Sequence, residues 1–68
     1  MNKFIKLTKI LNVTNRKTKP VFINVNHITN FYKVSDGSSN IFVTSGDVIN
    51  VVESIDDILK SIEESNNE

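Results

Sequence analysis

Cysteine is absent from this 68-residue chain, so neither disulfides nor thiolate metal sites can support its fold. Histidine occurs once, at His27, which leaves no basis for a histidine-rich zinc site within one chain. Gly37 and Gly46 are the only glycines and Pro20 the only proline. Two isolated glycines cannot form the glycine-rich loop that cradles a phosphate. No apolar run approaches the roughly 18 residues of a membrane helix. Near the start, Lys6 and Lys9 interrupt any apolar core of the about 7–15 residues that a signal peptide needs. The expected location is therefore cytoplasmic.

The same scarcity bears on catalysis, which needs a reactive group beside a matched partner. Only His27 offers a neutral base, and no serine sits in a glycine-rich nucleophile elbow. Asp56 and Asp57 are neighbours on a predicted helix, where adjacent side chains diverge, and helix-start charge accounts for them. A non-enzymatic protein is expected, with no catalytic residue, no metal ligand and no cofactor.

What the chain does contain is a succession of short apolar segments broken by turn residues. Phe4 to Val13 reads as a strand, with Ile5, Leu7 and Leu11 on one parity and Phe4 and Ile10 on the other. Thr14 to Pro20 reads as a polar, basic loop, and the second strand is expected after Pro20, which cannot donate to a ladder. Val21, Ile23 and Val25 alternate with Phe22 and Asn24. Asn26-His27-Ile28 breaks that alternation and predicts a bulge or one helical turn. Strand character resumes over Thr29 to Val34. Ser35-Asp36-Gly37 and Ser45-Gly46-Asp47 are turn signals that bracket Asn40 to Thr44, and Val48 to Val52 is the last strand. Asparagine occurs ten times, but regular apolar residues interleave it, unlike a prion-like tract.

The clearest element is a C-terminal helix. Ser54 is its expected cap, Asp57 lies three residues on, and Asp56 and Asp57 place negative charge in the first turn. Ile55, Ile58, Leu59 and Ile62 form a single apolar stripe, predicted to pack on one face of the sheet. The fold class expected is α+β: a small antiparallel β-meander of three to four strands followed by one C-terminal amphipathic helix. Residues 1–64 form one domain, and 65–68 a polar, frayed tail.

Charge is sharply divided. Residues 1–34 carry seven bases and no acid, whereas 35–68 carry eight acids and only Lys60 as a base, within a net charge of zero. A basic face at Lys6, Lys9, Arg16, Lys17 and Lys19 is the candidate contact for an anion or nucleic acid. The competing readings are neutralisation across the sheet and head-to-tail association between copies. Phe22 and Phe42 oppose the parity of the aliphatic residues beside them. With Phe31 they form the candidate partner surface on the helix-free face.

Several segments also follow the order of a known family. Phe4-Ile5-Lys6-Leu7-Thr8-Lys9, Ile23-Asn24-Val25-Asn26-His27-Ile28, Ile41-Phe42-Val43-Thr44-Ser45-Gly46 and Val51-Val52-Glu53-Ser54-Ile55-Asp56-Asp57-Ile58 resemble successive segments of small FlbD-type flagellar and swarming-motility proteins. The chain departs from them at Asn12 to Pro20, a longer basic loop where the family tends to have a tight Asn-Gly turn. The resemblance implies a motility accessory protein and carries over no catalytic residue.

The function expected is a small interaction module that self-associates or docks on a protein partner through the helix-free face and an edge strand. The alternatives are a nucleic-acid-binding regulator using the basic loop, and a phage or mobile-element effector. No membrane insertion is expected.

Overall fold

The computed structural model describes residues 3–66. Five antiparallel strands precede one helix: β1 (Phe4–Asn12), β2 (Lys17–Asn24), β3 (Ile28–Lys33), β4 (Ser39–Val43), β5 (Val48–Val51) and α1 (Ile55–Asn66). A 3-10 turn, Val25–His27, separates β2 from β3. The expected architecture is thus present as an antiparallel sheet with a C-terminal helix packed on it, but with five strands rather than three to four.

The sheet departs from the expectation in strand length, strand number and strand order. The second strand begins at Lys17 and runs through Pro20, because β2 lies at the sheet edge. Thr8 directs both its N–H and its C=O away from β2, toward the end of β5. The Thr8↔Pro20 pair is therefore one that exchanges no hydrogen bonds, and the missing proline N–H falls on the free edge. The 3-10 turn then splits off β3 as a strand of its own. The order β2-β1-β5-β4-β3 also departs from a simple meander. A β1–β2 hairpin and a β3–β4–β5 meander are joined side by side at β1 and β5.

That order makes the two edge strands consecutive in sequence. In a flat sheet, four strand spacings would put β2 and β3 about 19 Å apart. The 3-10 turn between them spans only about 8 Å. The sheet must therefore curl at this end, and two hydrogen bonds hold the turn in place: Val25 N–H to the Lys3 carbonyl at 2.9 Å, and Thr44 N–H to the His27 carbonyl at 2.8 Å. Asn24 caps the turn by accepting from the Asn26 N–H at 2.9 Å.

The concave side holds the core: Ile5 and Leu7 of β1, Ile23 of β2, Ile41 of β4, Val51 of β5 and Ile58 of α1, all buried, with Phe31, Val43 and Ile62 among the partly buried residues packed around them. The helix lies against β1 and β3. Ser54 caps it as expected, its Oγ accepting from the Asp57 N–H at 3.2 Å. Ser65 and Asn66 remain helical, so the expected tail begins inside α1; Asn67 and Glu68 lie outside the described residues. One apolar position departs from expectation. Leu59 is 50% exposed while Ile58, its neighbour, is fully buried. A step of 100° around the helix carries Leu59 out of the contact.

The join between the two halves of the sheet is narrow. Its only register pair is Lys9↔Val51. Beyond it, Val52 N–H donates to the Thr8 carbonyl at 2.9 Å. The Glu53 carboxylate then accepts from both the N–H and the Oγ of Thr8, each at 2.9 Å. Ser39, fully buried, donates its Oγ to the Glu53 carbonyl at 2.9 Å. Glu53 thus takes the place of the strand that β5 does not extend far enough to provide.

Thr8→Val keeps the shape and removes the hydroxyl donor to Glu53. Urea unfolding is expected to show a loss of about 1–3 kcal/mol, the scale of a hydrogen bond to a charged group; an unchanged midpoint would exclude this role. Ile58→Ala is expected to cost about 2–5 kcal/mol by leaving a cavity where the helix meets the core.

Candidate interaction surface

The β1–β2 hairpin projects beyond the core. Every residue from Leu11 to Pro20 is exposed, and the molecule is 37 Å long against 23 and 20 Å in the other directions. Pairing of β1 with β2 places basic strand against basic strand; acidic groups reach the hairpin from loops, Glu53 at Thr8 and Asp36 beside Arg16. Lys9 and Lys19 stand directly opposite one another, a like-charge pair that weakens a sheet rather than stabilising it.

Strand parity distributes the predicted site residues over two faces. Lys17 and Lys19 share the parity of Val21 and Ile23, and Lys9 that of Ile5 and Leu7, so all three belong to the concave side, continued past the end of the core. Lys6 points to the convex side and is paired with Phe22. Phe22 is 64% exposed and Phe4, two residues before Lys6, is 56% exposed. Two phenyl rings therefore lie beside one lysine on the outer face. Beside them, a shallow groove of about 400 Å³ runs between β1 and α1, lined by Phe4, Ile5, Lys6, Ser61, Glu64 and Ser65.

The other candidate aromatics separate. Phe31 packs against the core and so is withdrawn from the outer surface. Phe42 is outward and half-buried, stacked on Tyr32 with ring centroids 5.1 Å apart and planes at 28°. Around this pair, the two N–H donors of Asn50 Nδ2 are shared among three acceptors, Asn40 Oδ1 at 3.0 Å, the Ser39 carbonyl at 3.1 Å and Ser38 Oγ at 3.2 Å. This second outward patch is neutral and internally hydrogen-bonded.

Arg16 occupies the hairpin turn with φ 53°, the only described non-glycine residue with positive φ. This left-handed position normally falls to glycine or asparagine. Asn12 Oδ1 shapes the turn by accepting from Thr14 N–H at 2.9 Å and Asn15 N–H at 3.4 Å. The loop is thus only Val13–Arg16 between strands, shorter than the Thr14 to Pro20 stretch expected. Arg16, Asp36, Ile10, Val13, Thr18 and Val52 border a small cleft of about 70 Å³, and Ile10, Arg16, Asp36 and Val52 also line a second cleft of about 210 Å³ with Gly37 and Ser38. The Asp36 carboxyl is held below its usual range, chiefly by the Ser38 hydroxyl, then by the Ser38 N–H, with a smaller contribution from Arg16.

His27 is exposed, with Nδ1 3.0 Å from Thr44 Oγ1. Among the described residues, no group of three or more His, Cys, Asp or Glu side chains could hold a metal ion, and no helix is long and apolar enough to cross a membrane. Comparison with protein families, with curated proteins and with solved structures gives no match to this chain.

Sequence reasoning missed Phe4 and Leu59 as surface residues. The signal for Phe4 was its shared parity with Lys6 and Phe22's partner position. The signal for Leu59 was its place at the rim of the helical stripe.

Because the folded-state pKa of Asp36 is lowered, its contribution to stability is present above the unfolded value near 3.8 and is lost as pH falls through the folded value. Ser38→Ala is expected to move the Asp36 titration, followed by carboxyl NMR shifts, upward toward 3.8. An unmoved midpoint would show that the Ser38 contacts are not its cause.

Proposed function

We propose that this chain is a non-catalytic interaction module that docks on a protein surface through the convex face of its β1–β2 hairpin. The observation that carries the reading is the exposed pair Phe4 and Phe22 beside Lys6. Covering a phenyl side chain contributes about 1.5–3 kcal/mol, and a lysine in the patch adds a charge requirement that selects the partner. The sheet edges are poorer candidates. β2 carries Lys17, Lys19 and Pro20 on its free edge strand, the features that block strand addition. β3, the other edge strand, runs only six residues and ends on Lys33, a charge of the kind that discourages strand addition. Docking by face fits a motility accessory protein of the kind suggested by the resemblance to FlbD-type proteins.

The like-charge pair Lys9↔Lys19 favours a second reading, nucleic-acid binding along the concave side of the hairpin by Lys9, Arg16, Lys17 and Lys19. Single-strand binders combine aromatic platforms and cations in one groove. Here the exposed rings and three of these cations lie on opposite faces, which ranks this reading second.

The test is a photo-crosslinking phenylalanine analogue placed at Phe22, with the same analogue at Ser45 in the far β4–β5 turn as control. Protein adducts from position 22 and not from 45 are expected, and equal or absent adducts at 22 would overturn the reading. Oligonucleotide binding at low salt, lost in Lys17→Glu/Lys19→Glu, would establish the second reading instead.

A further inference from the structure

Resting on the docking surface just described, we propose that its occupant is a second copy of this chain, which presents the flank of α1 formed by Asp56, Leu59 and Glu63. Leu59 is a half-exposed leucine on a helix whose other apolar side chains turn inward. Asp56 and Glu63, both exposed, lie one turn before and after it, and exposed Lys60 lies one turn from each, so the flank carries a net charge of −1. At 100° per residue Asp56, Leu59 and Glu63 fall within about 60° of arc and extend over about 10 Å of helix axis. The receiving face has matching proportions and opposite charge. Phe4 and Phe22 are diagonal cross-strand neighbours, about 7–8 Å apart in a regular sheet, with Lys6 opposite Phe22 and two residues beyond Phe4. A leucine flanked by two carboxylates meets two phenyl rings beside an ammonium group.

Three arguments select a copy of the chain over an unrelated partner. The chain is neutral overall but divided into +7 for residues 1–34 and −7 for 35–68, so the partner best matched to its field is itself. The same division makes a face-to-face pairing of like patches unfavourable, since Lys6 would meet Lys6. The third argument is geometric. Ser61 and Glu64 border the Phe4–Lys6 groove. Around the helix they lie about 140–160° from Leu59, so one molecule cannot satisfy both patches by itself. The contact is therefore head-to-tail, a heterologous interface that continues into a ring or an open chain rather than stopping at a dimer.

The decisive experiment uses two singly blocked variants, Phe22→Ser and Leu59→Ser, both at exposed positions and checked for unchanged thermal melting. Sedimentation velocity of the wild type over about 10 µM to 1 mM should show mass rising past that of a dimer of the 7.7 kDa chain, less so as salt is raised. Each variant alone should remain monomeric. Mixed, they should form a 1:1 complex and nothing larger, because Phe22→Ser retains the helix patch and Leu59→Ser retains the sheet patch. Lys6→Glu should weaken wild-type association at least tenfold, and Lys6→Glu mixed with Glu63→Lys should recover it. A wild type that stays monomeric throughout, a species that stops at dimer, or variants that associate unmixed would each overturn the proposal. Adducts from Phe22 to a different protein, with a monomeric wild type, would sink the second copy and leave the docking surface standing. No adduct and no association would sink both.

Discussion

The chelate between Thr8 and Glu53 is the contact on which the arrangement of the molecule depends. The β1–β2 hairpin and the β3–β4–β5 meander each form by local pairing, but they share one register pair and one further backbone bond. Without the Glu53 carboxylate, the N–H of Thr8 would face a gap at the end of β5. The same residue passes its carbonyl to the buried Ser39 hydroxyl and immediately precedes the Ser54 cap. One glutamate thus fixes the seam of the sheet and the point from which the helix departs.

From that seam follows the division into two faces. The curl forced by the short 3-10 link gathers the aliphatic residues of every strand on the concave side, and α1 covers them. With so small a core, the remaining apolar residues lie outside; Leu11, Val13, Val48 and Val52 are exposed around the sheet, and the others form small groups. Phe4 and Phe22 gather around Lys6, Tyr32 stacks on Phe42, and Leu59 stands between two acids. Charge is partitioned in the same way, because the basic strands pair with one another.

The features legible in the sequence are those written in local chemistry. The alternation around Phe22 and Phe42 placed both on the outer face, and Gly37 and Gly46 do supply the positive φ of their turns. Ser54 acts as a cap, and the interruption at Asn26-His27 is a 3-10 turn. The parts that were not legible depend on pairing. Whether β1 meets β5 is decided by Thr8 and Glu53, 45 residues apart. That Pro20 lies within a strand depends on β2 having one free edge. Phe31 faces the core because β3 carries an irregularity between Ile28 and Asn30, which moves the inward set from Ile28 to Phe31 and which periodicity alone does not resolve. Arg16 gave no sign of its left-handed backbone, since its turn is shaped by Asn12.

Pro20 has a consequence beyond local geometry. Asparagine, isoleucine and valine in short alternating segments are close in composition to chains that stack into cross-β fibrils, where each strand must both donate and accept along its whole length. On β2, an imide nitrogen removes one donor from the free edge, and Lys17 and Lys19 would stack charge upon charge at every layer. A chain with no disulfide and a modest core opens from time to time, and what it exposes then matters. One ring closure and two ammonium groups set the β2 edge against fibril growth, so the chain can expose aromatic rings on its outer face without an open strand beside them.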